Sequence, residues 1–457
     1  MVVLLTVVGI ILFVIGLLFS IAWHELGHLS TAKMFGIKCT EYMVGFGKTL
    51  WSFRRGDTEY GVKAVPLGGF VRMVGMIPPA ERTAAAAGDT SARKISRWRA
   101  MAEDSREASY IELEPGDEDR QFYQRSPWKR LIVMFAGPGM NVILAAILLA
   151  VLFMGIGIPK ETNAVGEVNE CMAPADTQIE SCEDPGAQPT PAAEAGILPG
   201  DRIVSIDGEP TPEWNDANQK IRTSLGSTAF EVERDGETFS TDVDIVENEL
   251  PARDADGEIL YETDAEGDHV YDEDGRRVVQ TETVGFLGIV FEQERARLGP
   301  VDSAQEMGTM LVAVGEALVA LPSKVPEVFG AAFLGEQRTE DSPVGIVGIS
   351  RIGGEIMSQG LPVADTAAIM LQILAGVNLF LFAFNMLPIL PLDGGHMAGA
   401  IWESIKRNIA RLFKRPDPGP VDVALLTPVA YVVVACFLVF SVILLVADLI
   451  NPVRLFG

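Results

Sequence analysis

Four stretches of the chain are apolar over the length a bilayer demands of a helix, about 20 residues. The first runs from Val2 to Ala22 without a charge, and the second from about Leu131 to Ile158, again uncharged. The third runs from about Thr366 to Pro388, and the fourth from about Pro428 to Ile450, where Asp448 is the single charge. Each predicts a membrane-spanning helix. Ser126 and Pro127 supply an N-cap and a first helical residue for the second. The first has no basic leader and no small-residue cleavage site, and it continues into Trp23-His24-Glu25, so it predicts a retained helix rather than a signal peptide.

Between these stretches the periodicity changes. Lys48 to Phe53 partly alternates, Arg54-Arg55-Gly56-Asp57 has turn chemistry, and Glu59 to Val65 predicts a second strand. Residues 78–125 are rich in Ala, Glu, Asp and Arg and predict a partly helical or disordered linker. Ser303 to Leu321 has helical periodicity, punctuated by Pro322 and Pro326. The organisation is therefore a transmembrane helix over 1–35, a β-region and linker over 36–125, a second helix over 126–158 and a separate domain over 159–300. An amphipathic juxtamembrane region over 301–364, a third helix with its closing turn over 365–396, a loop over 397–427 and a fourth helix over 428–457 complete it. This is the pattern of a polytopic α-helical membrane protein with about four transmembrane helices.

Charge sharpens the picture. The 457 residues hold 62 acidic and 36 basic side chains, a net of −26, yet 48% of the chain is hydrophobic. That apolar content excludes wholesale disorder, and the net charge excludes a nucleic-acid binder. Residues 156–300 hold 34 acidic and 10 basic residues, whereas 31–130 hold 13 and 17, and 397–427 hold 3 and 5. Lys33, Lys38 and Lys48 follow the first span, Arg125, Lys129 and Arg130 precede the second, and Lys406, Arg407, Arg411, Lys414 and Arg415 lie between the third and fourth. Positive charge stays inside, so 31–130 and 397–427 are expected in the cytoplasm, with both termini and the acidic block outside.

The chain has four histidines, His24, His28, His269 and His396. Two of them form His24-Glu25-Leu26-Gly27-His28. Residues i and i+4 share one helix face, so both imidazoles can bind one metal, and Glu25 is then placed to take a proton from the attacking water. The motif ends an apolar span, where ionisable residues are costly and tend to be functional. A catalytic zinc needs a third protein ligand. Asn385-Met-Leu-Pro388-Ile-Leu-Pro391-Leu-Asp393-Gly394-Gly395-His396 closes the third span and offers two candidates, Asp393 and His396. By the predicted topology this turn, the histidine motif and the start of the second span all meet at the cytoplasmic side.

These residues resemble the site-2 protease family of intramembrane zinc metallopeptidases. The family pairs HExxH on one span with N-x-x-P-x-x-x-x-D-G on a later one, seen here as Asn385, Pro388, Asp393 and Gly394. A third family feature, G-x-x-x-N, appears as Gly137-Pro-Gly-Met-Asn141. The resemblance implies one zinc ion on His24, His28 and Asp393, Glu25 as general acid and base, and a substrate-handling role for Asn385, Asn141 and Gly137. It also implies a membrane-associated β-element around Gly69, Phe70 and Val71, whose edge we expect to pair with an unwound substrate segment. The implied substrates are single-pass membrane proteins, such as anti-sigma factors already shortened by an upstream site-1-type protease, or signal-peptide remnants. The implied setting is the bacterial cytoplasmic membrane, with membrane lipids as further partners and no nucleic acid.

In the external block, Ala192 to Gly208 resembles part of a bacterial PDZ domain: a short helix, the Gly200-Asp201 turn and a strand ended by Asp207-Gly208. Pro212 to Leu225 predicts a second helix, Phe230 to Val246 a hairpin turning at Arg234-Asp235-Gly236-Glu237, and Gly285 to Phe291 a closing strand. Such a PDZ-like α+β domain either binds an exposed C-terminus or filters substrates by size. Cys171 and Cys182 lie 11 residues apart in this block and are a disulfide candidate in an oxidising exterior, whereas Cys39 and Cys436 are expected to stay reduced. Three Asp-Gly clusters, at 254–257, 264–267 and 272–275, lack the spacing and terminal Glu of an EF-hand and predict turns, with His269 in a solvated loop.

Overall fold

The structure is a computed structural model and describes residues 2–78, 101, 116–172, 182–184, 186–253, 259–265, 269–272, 276–336, 338 and 342–453. Most of the expected linker and the tips of the three Asp-Gly clusters lie outside the described residues. The chain divides into two compact units, one of Met1–Gly155, Gly299–Arg338 and Ser342–Gly457, the other containing Ile156–Leu298.

In the first unit, helix α1 (Val2–Met34) leads into strands β1 (Cys39–Arg55) and β2 (Thr58–Met73). Helix α2 (Pro127–Ala150) follows and continues as one π-helical stretch, Val151–Ile156. Both strands bend. Glu41–Val44 pairs on one side with Glu59–Val62 and on the other with Gly69–Arg72, while Trp51–Arg55 pairs with Thr58–Val62. The result is a small antiparallel sheet with the end of β2 at one edge. Leu29 and Ala32 of α1, Val71 and Met73 of β2 and Val133 and Met134 of α2 close into one buried cluster with Met397. Within it, burial pushes the Cys39 thiol up to about 11, so it stays protonated.

The second unit builds an antiparallel sheet from β3 (Ile158–Val168), β6 (Arg202–Ile206), β8 (Gly226–Arg234), β9 (Glu237–Pro251), β10 (Thr281–Phe286) and β11 (Ile289–Ala296), in the order β10-β9-β8-β6-β3-β11. The short β7 (Glu209–Pro210) pairs with β6, and β4 (Cys171–Met172) with β5 (Gln188–Pro189). Helices α3 (Pro191–Glu194) and α4 (Trp214–Thr223) complete it. Alternation along β8 sends Thr228, Phe230 and Val232 inward, where they meet Ile203, Ile221 and Val243. Cys171 and Cys182 form a disulfide with their Cα atoms 5.5 Å apart.

One ion pair in this unit carries a testable pH dependence. Arg234 donates from Nε to Asp201 Oδ1 at 2.6 Å and from one NH2 group to Oδ2 at 2.7 Å, and the Leu198 N–H also reaches Oδ2. Burial by itself raises the Asp201 carboxyl, but the Arg234 fork and the Leu198 N–H outweigh it and hold the group below its ordinary value. A depressed carboxylate stabilises the fold fully above its unfolded value, about 3.9, and the contribution fades as pH falls through the folded value. Arg234→Met should therefore lower the unfolding temperature at neutral pH. The gap to wild type should narrow as the solution is acidified below the ordinary carboxylate value, about 3.9, read by calorimetry.

The remaining helices belong to the first unit: α5 (Pro300–Phe333), α6 (Ile346–Ser358), α7 (Val363–Asn385), α8 (Asp393–Leu412) and α9 (Thr427–Ile450). Among the described residues five segments are long and apolar enough to cross a membrane, namely Val3–Met34, Pro127–Ile156, Pro300–Phe333, Val363–Asn385 and Val423–Ile450. The third of these differs from expectation. Pro322 and Pro326 do not end the helix, because its last turns are held by packing: Val328 and Ala332 are buried against Ala447 of α9. Residues 301–333 of the segment assigned as amphipathic and juxtamembrane thus belong to one helix of spanning length, and the separate helix α6 follows within the same segment. Asp448, the charge at the end of the fourth span, is paired at 2.8 Å with Arg338, both about 1% exposed. Its other oxygen accepts the N–H groups of Gly345 and Gly348, tying the start of α6 to α9.

Candidate metal centre

α1 and α7 run side by side in the same direction. Leu374 lies against Gly16, Asn378 Nδ2 donates to Ser20 Oγ at 2.9 Å, and Asp393, in the turn after α7, reaches His24 and His28. α2 runs the opposite way, with Ala136 against Gly27 and the Met140 carbonyl accepting from Trp23 Nε1 at 2.9 Å. The depths at which the sequence motifs meet follow from these two registers.

Three ligand atoms converge. His24 Nε2 and His28 Nε2 are 3.2 Å apart, and Asp393 Oδ2 lies 3.3 Å from each. Around a cation with bonds of about 2.0–2.1 Å, the edges of a tetrahedron are about 3.3–3.4 Å. The triangle therefore has the dimensions of one face of a tetrahedral site. His28 Nδ1 donates to the Val133 carbonyl at 2.8 Å, which leaves Nε2 as the lone-pair nitrogen. Asp393 Oδ2 is buried with no hydrogen-bond donor aligned on it. Lone pairs facing a carboxylate repel unless a cation sits among them, so the donor set fits a zinc ion.

His396 is not in this group. It sits three residues into α8 and lines a small cavity with Met76, Phe122, Arg130 and Ala400, and burial holds its imidazole below the ordinary histidine value. Asp393 is thus the candidate that the geometry brings to the histidines.

Glu25 lies half-buried beside β2 and accepts a hydrogen bond from the Val71 N–H. The strand passes so close that a Cβ on Gly69 would come within 2.9 Å of the Glu25 Cγ. Phe70 stacks on Phe46 at 6.0 Å between ring centres. Gly137 packs on the metal-binding ring itself: a Cβ there would lie 2.2 Å from His28 Nε2. Asn141, one turn further along α2, is fully buried, and neither its Oδ1 nor its Nδ2 has a partner. Asn385 donates back to the Leu381 carbonyl of its own helix at 2.9 Å.

A model of peptidase family M50 matches residues 12–416. The chain is also 37% identical over 464 residues to the zinc metalloprotease Rip1 of Mycobacterium tuberculosis (strain ATCC 25618 / H37Rv), covering 98% of this chain and 99% of that one. The chain belongs to peptidase family M50. This M50 chain is 33% identical over 463 residues to Rip1 of Mycolicibacterium smegmatis (strain ATCC 700084 / mc(2)155), with 98% and 99% covered. It is 26% identical over 430 residues to the zinc metalloprotease RasP of Shouchella clausii (strain KSM-K16), with 84% and 87% covered. As a member of M50, the site-2 protease family, it is a zinc metalloendopeptidase.

Two supports of the M50 site escape a motif search. Asn378 and Ser20, both fully buried, join α7 to α1 one turn before the first histidine. Polar residues at matching positions in two apolar spans are a usable signal for such a pair. The Val133 carbonyl is backbone and leaves no mark on the sequence.

Proposed function

We propose that this M50 peptidase cuts single-pass membrane proteins within their membrane-spanning segments. The observation that carries the reading is the convergence of His24, His28 and Asp393 at the end of a helix apolar enough to cross a membrane. A bond cut there has to be presented at membrane depth. In a helix the scissile amide is hydrogen-bonded and shielded, so the substrate has to unwind locally. The edge segment Gly69–Met73, beside Glu25, offers a template on which the unwound stretch adds as a further strand.

His24, His28 and Asp393 hold the zinc. When bound, zinc polarises the scissile carbonyl and makes the attacking water easier to deprotonate. Glu25 takes that proton and delivers it to the leaving amide nitrogen. The Val71 N–H keeps the Glu25 carboxylate oriented. Asn141 and Asn385 are assigned as donors to the developing oxyanion, and the uncommitted amide of Asn141 favours it of the two.

The basic loops support a site near the cytoplasmic face of a bacterial cytoplasmic membrane, with the N-terminus and the acidic unit outside. Phe46, Trp51 and Phe53 are exposed on the sheet beside Lys48, Arg54 and Arg55, a mixture suited to lipid headgroups. The external unit acts as a PDZ-like filter or C-terminus reader. The substrate class is that of anti-sigma factors pre-cleaved by a site-1-type protease, or signal-peptide remnants.

The test is cleavage of a single-pass model substrate by the purified chain in detergent, with the cut located by mass spectrometry. A cut inside the apolar segment, lost on chelation and restored by zinc, is expected. Val71→Pro, which removes the N–H given to Glu25, should lower turnover at least about tenfold with folding intact, the worth of one charge-assisted hydrogen bond. Cutting confined to the soluble flanks would reject intramembrane proteolysis, and unchanged Val71→Pro turnover would reject the role of the strand.

A further inference from the structure

Arg130 and Glu403 form an ion pair at 2.6 Å that lies away from the metal but on the two helices that build its site. Glu403 is fully buried and Arg130 about 9% exposed at the side chain. Glu403 also pairs with Arg407 at 3.0 Å and accepts the Val421 N–H at 3.1 Å. Replacing a buried ion pair by well-packed apolar residues is often neutral or stabilising, so stability alone is weak grounds for its presence. The best-attested use of such a pair is to fix register.

Its placement shows which register. Arg130, Val133, Gly137 and Asn141 follow one another on α2 at spacings of three, four and four residues, a single helix face. That face gives the Val133 carbonyl to His28, lies against the His28 ring at Gly137, and ends in the buried Asn141. Arg130 continues the same stripe and grips α8, the helix whose first residue is Asp393. The helix that orients one histidine is thereby locked to the helix that delivers the carboxylate.

We propose that Arg130 and Glu403 are positioning residues for Asp393: their pairing sets α8 against α2 so that the carboxylate meets His24 and His28. This rests on the reading of those three residues as the zinc site. Neither side chain belongs to the candidate ligand group of His24, His28 and Asp393.

The experiment uses the full chain purified in detergent, with zinc affinity measured by competition against a chromophoric chelator. Unfolding temperature and elution volume are measured in parallel. Arg130→Met and Glu403→Gln should each weaken zinc binding by about 10–100-fold, the range for groups that support metal ligands, whereas Arg130→Lys should keep most of the affinity. The decisive variant is Arg130→Met combined with Glu403→Leu, which removes both charges of the buried pair while the partly exposed Arg407 keeps Asp417 at 3.4 Å, so it should fold with near wild-type thermal stability. It should still bind zinc at least about tenfold more weakly. At saturating zinc its kcat should recover and KM should match wild type. Wild-type zinc affinity in the folded double variant would overturn the proposal. Asp393→Asn separates the two readings: if it alone leaves zinc affinity unchanged, the ligand assignment fails, and if it loses zinc while the double variant does not, only the positioning role fails.

Discussion

Glu25→Gln is expected to reduce cleavage of a single-pass substrate by about 10²–10⁴-fold while leaving zinc content unchanged. The side chain keeps its size, and its amide oxygen still accepts the Val71 N–H, so the fold around β2 has no reason to shift. The ligands are His24, His28 and Asp393, none of which is altered. What disappears is a group able to take a proton from water and return it to nitrogen. The two measurements together discriminate among chemistries. Loss of both zinc and turnover would make Glu25 a structural support of the metal. Full turnover with zinc in place would remove it from the proton path.

Gly137→Ala should be nearly as damaging, through the metal rather than through the proton. The added Cβ would stand 2.2 Å from His28 Nε2 and 2.6 Å from Cε1, inside any tolerable contact. The ring has no free direction in which to yield, because Nδ1 is bonded to the Val133 carbonyl on the same helix that carries the new methyl. Either α2 moves outward or the imidazole turns away from Asp393. A misplacement of about 1 Å is enough to cost about 10²-fold in rate, and zinc affinity should fall by about tenfold or more. Titrating activity against added zinc checks this: right-shifted dependence with partial recovery supports a displaced ligand. Wild-type zinc affinity and turnover would mean that the close approach at Gly137 has no part in holding the site.

The spans were readable because lipid is an unforgiving solvent: about 20 uncharged residues in a row have few other uses. The boundaries shifted by only a few residues in α2, α7 and α9. Sequence alone predicts a break in the helix at 300–333, because internal proline costs about 3 kcal/mol or more in an ordinary helix. It continues here because Val328 and Ala332 bury against α9, a contact with residues more than 100 positions away. In the second unit, the hairpin turn at Arg234–Glu237 was legible from its Asp-Gly pair, since Asp235 and Gly236 both adopt the left-handed conformation such a turn requires.

The site divides along the same line. His24, Glu25 and His28 share one helical turn, so their joint presentation is a consequence of the 3.6-residue repeat and needs no fold to be seen. The charge of 156–300 is likewise a property of the chain itself. The choice of Asp393 over His396 is not, because the two lie within one helical turn of sequence and both residue types are able to ligate zinc. It depends on where α8 begins and how it lies on α2. Nor could local patterns show the Val133 carbonyl behind His28, the bond between Ser20 and Asn378, or the pairing of Arg130 with Glu403. Each joins residues more than 100 positions apart, and such contacts exist only once packing has brought separate helices into register.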